Sequence, residues 1–195
     1  MGVFHAAIYI NDKSGFITSR TEHNSEMNLS DIKLPRELEA DGTAETIRCM
    51  LMARTVQLWS GGTLSVPVIA MNDTLKRLLQ MTNLNGKVQC GLEVITGKLA
   101  KESRGIDHLR EAKGLPVGDR VSRLLLVSSD GAERFYRHIE HLLQQHSPRL
   151  LCCMLDMDGS ALGSAVTGKE KQIKAIMAER KEIVSAIMRT LLESH

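Results

Sequence analysis

The feature that most constrains this chain is an unbroken apolar run, LLCCML at residues 150–155, preceded by the amphipathic stretch AERFYRHIEHLLQQHS and followed by an Asp-Gly turn. Such a run reads as a strand. The stretch before it places Phe135, Ile139, Leu142 and Leu143 on one helical face, and upstream SRLLLVSSDG is a second strand that ends in a turn. Strand, helix, strand, helix in this order predicts an α/β fold with parallel pairing.

The rest of the chain extends that pattern. VPVIAM (66–71) is a further strand leading into a helix that starts at Asn72–Thr74 and reaches about Thr82, after which NLNG turns the chain. KVQCGLEVITG (87–97) reads as a strand of mixed burial, and residues 98–120, polar and basic with three glycines and a proline, as a short helix plus loop. Ala44 to Trp59 has a helical pattern, stopped by Ser60-Gly61-Gly62. VFHAAIYI (3–10) is a short strand with a hairpin through NDKSG into GFITSR, and residues 21–42 are loop with short extended pieces. A final helix is expected from about Lys169 to Ser194, with Ile173, Ile176, Met177, Val184, Ile187, Met188 and Leu191 on one stripe. That stripe either completes the core or forms a homodimer seam. The fold class expected is α/β, a mixed sheet with parallel strand-helix-strand units. It forms one compact domain over 1–195, or two lobes divided near 97–118.

Composition narrows the partners. With 195 residues, 43% of them hydrophobic, the chain can bury a substantial core. Its 25 basic and 23 acidic residues nearly cancel, so a charged partner must be met by a local patch. Lys98, Lys101, Arg104, Arg110 and Lys113 form such a cluster, but three Phe, two Tyr and one Trp give little surface for base stacking, and nucleic acid is not the expected partner. No segment has membrane-spanning length and the N-terminus does not read as a secretory signal, so a cytoplasmic location is expected. Cys49, Cys90, Cys152 and Cys153 contain no CxxC pair and are read as reduced thiols. His138, His141 and His146 lack metal-site spacing and are read as a solvated helix face; no metal ligand set is expected among the chain's own residues.

Three constellations could carry chemistry. Asn72-Asp73-Thr74 stands at the carboxyl end of a strand, where Asp73 could accept a proton from a substrate hydroxyl while Asn72 and Thr74 bind the substrate. The same three residue types are also good helix caps. Thr96-Gly97 would close a strand with a turn whose amides could approach a phosphate. Asp130-Gly131 and Asp158-Gly159-Ser160 each follow an apolar strand. Two such turns on one sheet edge would make a nucleotide crevice, with Gly159 and Gly163 letting backbone or nucleotide pack closely.

The order of these pieces resembles the hexokinase family. VIAMNDTLKRLL is similar to its Asn-Asp-Thr segment, CGLEVITGK to its second phosphate loop, and LLLVSSDG and DMDGSALGSAV to its last sheet strand and closing Asp-Gly-Ser-x-x-Gly segment. The matches are colinear over about half of the chain. The resemblance implies a reduced actin/hexokinase-like, ribonuclease H-like fold that phosphorylates a sugar hydroxyl with ATP and Mg2+. Asp73 would be the base and Asn72 a sugar ligand, with Thr96 and Gly97 on phosphate and Asp158, Gly159 and Ser160 in the nucleotide crevice. The chain departs from the family in lacking the Asp-x-Gly-Gly-Thr loop and in its length. The alternative is a non-catalytic α/β protein that binds a nucleotide or sugar, or acts through oligomerisation.

Overall fold

The computed structural model describes residues 29–114 and 118–193. The strand and hairpin expected over 3–20 lie outside them. A 3-10 turn at Leu29–Asp31 leads to α1 (Arg36–Ala40), α2 (Ala44–Ala53), β1 (Thr55–Gln57), β2 (Ser65–Ile69), α3 (Asp73–Leu84), β3 (Val88–Cys90), α4 (Leu92–Lys113), β4 (Arg123–Val127), α5 (Glu133–His146), β5 (Leu150–Leu155), α6 (Gly159–Thr167), β6 (Ala175–Ala178) and α7 (Lys181–Leu192).

The strands form one mixed sheet of order β1-β2-β5-β4-β6-β3, in which β2, β5 and β4 run parallel while β6 is antiparallel to both β4 and β3. The α/β class and the parallel units are therefore present. Because β3 pairs with β6 and β2 with β5, chain from both sides of the 97–118 region shares a single sheet.

Alternation along the central strands explains how uniformly apolar runs are used. In β5, Leu151, Cys153 and Leu155 point into the core under α2, α3, α6 and α7, whereas Leu150, Cys152 and Met154 point into the core under α4 and α5. All six are buried. Period-two geometry sends adjacent residues to opposite faces, so the two neighbouring cysteines never meet. All four cysteines are free, and burial pushes the Cys153 thiol up to about 12.

Several boundaries differ from the sequence expectation. The helix from Ala44 stops at Ala53, and Thr55–Gln57 becomes an edge strand paired antiparallel with β2. The expected strand through Thr96-Gly97 ends at Cys90, and a 22-residue helix follows. Burial of Ile95 and Leu99, at i, i+4, overrides the strand preference of Val94, Ile95 and Thr96. Gly114, left-handed with φ 60°, closes this helix by donating its amide to Arg110 at 2.8 Å. The helix expected from Lys169 is replaced by an extended segment, the fully buried strand β6, and α7. A four-residue apolar run is periodically ambiguous, and the two-sided cover available between β4 and β3 decides it. On α7, Ile183, Val184, Ile187, Met188 and Leu191 pack into the chain's own core.

Candidate ligand-binding site

The chain crosses the sheet by α4 and α5 on one face and by α3 and α6 on the other. The connection leaving β4 therefore takes one face and the connection leaving its neighbour β5 takes the other. In open α/β sheets such a divergence opens a crevice outside the carboxyl ends of the strands. The residues at that place here are Ser128-Ser129-Asp130 after β4 and Asp156-Met157-Asp158 after β5.

These two loops are laced together. Asp130 Oδ1 accepts from Ser128 Oγ at 2.7 Å and from the Gly159 amide at 2.9 Å, while Lys174, just before β6, lies 3.3 Å from Asp130 Oδ2 and donates to the Asp130 carbonyl at 3.0 Å. Ser129 donates its amide (2.9 Å) and hydroxyl (3.1 Å) to the Met157 carbonyl. The Ser128 hydroxyl, with the Gly159 amide and Lys174, holds the Asp130 carboxyl below its ordinary value against the opposing effect of burial. Asp130 thus clamps loops together as a fixed carboxylate. Tyr136 locks the same turn, donating to the Ser128 carbonyl and accepting from the Gly131 amide, each at 2.9 Å. A Cβ on Gly131 would come within 2.5 Å of the Phe135 ring and 2.7 Å of the Tyr136 ring, so a larger residue there would have to displace these rings.

Asp158 is the N-cap of α6, its Oδ1 accepting from Ala161 at 2.7 Å, and Ser160 is exposed in the first turn. The close approach expected at Gly159 and Gly163 is made by the chain itself: Ile173 donates to the Gly159 carbonyl at 2.8 Å, and a Cβ on Gly163 would lie 2.6 Å from the Lys171 carbonyl carbon. The segment before β6 packs directly on α6 at these two glycines.

Asn72 proves to be a cap. Its Oδ1 accepts from Leu75 at 2.7 Å and its Nδ2 donates to the Thr190 carbonyl at 2.9 Å, tying α3 to the end of α7. Asp73 and Thr74 are exposed in the first turn. Replacing Asn72 by alanine is expected to cost about 1–2 kcal/mol, because a cap and a tie to a main-chain carbonyl are lost together, whereas Asp73→Ala should change stability by no more than about 0.5 kcal/mol. Urea unfolding of both variants checks this; equal midpoints would remove the capping role.

Thr96 and Gly97 form no phosphate turn. They lie inside α4, where backbone amides are consumed by the helix, and α4 covers the opposite sheet face from the helices begun by Asp73 and Asp158. They line instead a groove of about 1010 Å³ with Leu92 and Glu93 of α4 and Ala132, Arg134, Phe135 and His138 of α5. Thr96 Oγ1 and His138 Nε2 bridge the two helices at 2.9 Å. Neither α4 nor α5 has a side-chain cap at its N-terminus. Gly131-Ala132 and the Gly91 amide, which donates to Ala175 at 2.9 Å, join this groove to the Asp130–Lys174 cluster.

The sequence pointed to Thr96 and Gly97 but not to Arg134, Phe135 and His138. The signal was available: residues opening the helix after an Asp-Gly strand end stand at the carboxyl edge. His138 and His141 are exposed as expected, but His146 is half-buried. Asp130, Asp156 and Asp158 are engaged by Lys174, by Arg54 (2.8 Å) and by the Ala161 amide. Among the described residues no group of three His, Cys, Asp or Glu side chains is placed to hold a metal. Among the same residues no helix is long and apolar enough to cross a membrane. Neither a protein-family model nor a curated protein matches the chain.

Proposed function

We propose that this chain is a nucleotide-binding α/β domain that acts by binding, with its ligand in the groove between α4 and α5. One observation carries the reading: two helix N-termini without side-chain caps open onto one large groove whose wall is largely apolar and whose rim holds Arg134. Helix N-termini and an arginine favour phosphate. Leu92 and Phe135 offer an apolar wall to a base, and the Glu93 carboxylate can accept from ribose hydroxyls.

A sugar kinase of the hexokinase type needs Asp73, Thr96 and Asp158 around one substrate, since phosphoryl transfer depends on positioning. Here Thr96 belongs to the other face, and Asn72 is spent on α3 and α7. The binding reading therefore takes precedence over ATP- and Mg2+-dependent transfer to a sugar.

Calorimetric titration with ATP and ADP tests it. Binding is expected in the wild type and should weaken about tenfold or more in Arg134→Gln, which loses a charge-assisted contact. A coupled ADP-release assay with Mg-ATP and a hexose panel should show no sugar-dependent turnover. Sugar-dependent release that disappears in Asp73→Ala would restore the kinase, and absence of nucleotide binding would end both readings.

A further inference from the structure

At the amino edge of the sheet, far along the strands from the groove above, two arginines share one glutamate. Arg123, the first residue of β4, takes both Glu102 oxygens, with Nε at 3.2 and 3.1 Å and Nη2 at 3.0 Å, and its Nη1 donates to the Ser122 carbonyl at 2.8 Å. Arg149, just before β5, is left 3.8 Å from Glu102 Oε2, beyond hydrogen-bond distance. No other carboxylate among the described residues lies within 4 Å of its guanidinium, yet its side chain is only 23% exposed. A guanidinium stripped of most of its water beside a second guanidinium, with only a distant share of one carboxylate that is already bonded to its neighbour, is incompletely compensated.

A pocket of about 300 Å³ opens in front of it, lined by Arg149, His146, Gln145, Ser103, Arg110 and Asp107. His146 donates to or accepts from Ser103 Oγ through Nδ1 at 3.2 Å, and burial, reinforced by Arg149, keeps the ring below its ordinary pKa of 6.5. Arg110 has no carboxylate within 4 Å among the described residues. Asp119, also on the rim, is paired with Lys33. Arg110, Arg123 and Arg149 therefore face two carboxylates, Glu102 and Asp107, and one positive charge is unmatched. The end of α5 adds partial negative charge, part of which the Arg149 amide already meets by donating to the His146 carbonyl at 3.0 Å.

We propose that this pocket binds a phosphate group, as the free ion or as a small phosphate monoester, with Arg149 as its principal ligand and Arg110, Gln145 and His146 around it. It is a second site, independent of the nucleotide groove.

Calorimetric titration of the full chain with inorganic phosphate and with glycerol 3-phosphate, at ionic strength fixed with sodium chloride, tests it. Saturable binding should weaken about tenfold or more in Arg149→Gln, and severalfold in Arg110→Gln, an exposed position whose change leaves the core intact. It should be unchanged in Arg134→Gln, which reports on the other groove. Tighter binding of the ester assigns the pocket to a phosphate monoester, and equal binding to the free ion. Binding that survives Arg149→Gln or Arg110→Gln, that disappears in Arg134→Gln, or that never rises above chloride overturns the proposal.

Discussion

Gly163→Ala should destabilise the protein by about 3 kcal/mol or more, at or above the upper end for inserting a methyl group into a packed site. In an open helical position the same change is favourable by about 0.5–1 kcal/mol, because alanine loses less backbone freedom than glycine. Packing reverses the sign. A Cβ at Gly163 would overlap the Lys171 carbonyl oxygen and approach its carbonyl carbon to 2.6 Å. Main chain cannot swing aside as a side-chain terminus can, and this segment is fixed by the Ile173–Gly159 hydrogen bond and by the pairing of β6 with β4. Displacing it would also carry Lys174 away from Asp130 and loosen the clamp at the carboxyl edge. Gly105→Ala, inside α4 with nothing within 4 Å of the added carbon, is the control and should be stabilising. Thermal and urea unfolding of the two variants decide the matter; equal effects, or a stable Gly163→Ala protein, would show that α6 and the segment before β6 do not pack as described.

The same glycine shows where sequence reading stops. DGSALG advertises a close approach of some backbone to a helix, and that much is correct, but the pattern does not say whose backbone arrives. The partner lies only a few residues away in sequence, within a segment whose pattern predicts a helix, because Ile173, Ile176 and Met177 suit helical spacing as well as strand burial. β4, α5 and β5 were legible because long periodic or uniformly apolar segments leave few alternatives. Asn72-Asp73-Thr74 fits a cap and a site equally well; the cap is a local bond to Leu75, whereas the tie of the same side chain to the Thr190 carbonyl, 118 residues away, is in no local pattern. The pattern around Thr96 suggests a phosphate turn, yet the residue lines a groove. Its helix is specified by burial of Ile95 and Leu99 rather than by propensity, and the groove itself exists only once α4 and α5 lie side by side.

Glu140 carries the other large expected effect, and it too was invisible to periodicity, sitting beside Ile139 on the buried side of α5. Its residue is only 7% exposed, and its carboxylate gathers four donors from the loop between β1 and β2: the Trp59 indole, the Thr63 amide (2.7 Å), the Thr63 hydroxyl (2.8 Å) and the Leu64 amide (3.1 Å). Arg137 stacks 4.5 Å from the Trp59 ring centroid on the outside. Glu140→Gln replaces one acceptor oxygen by a donor facing donors, and a cost of about 2–3 kcal/mol at pH 7 is expected from the buried groups left unmatched. Burial alone would raise the Glu140 carboxyl above its ordinary 4.5, but the hydrogen bonds from Thr63, Trp59 and Leu64 outweigh it and the net shift is downward. A folded-state pKa below the unfolded one means that the contribution is complete above the unfolded value and is lost as pH falls through the folded value. The stability gap between wild type and Glu140→Gln should therefore be widest at neutral pH and shrink below about pH 4.5. Trp59 is the chain's single tryptophan, so its fluorescence reports the loop directly. Red-shifted emission from Glu140→Gln under native conditions is expected, because the indole loses its acceptor and the loop its anchor. Unchanged emission, together with a gap that does not narrow in acid, would mean that the loop is held by its apolar contacts, Leu58 and Leu64 on the α5 face, and that the carboxylate is incidental.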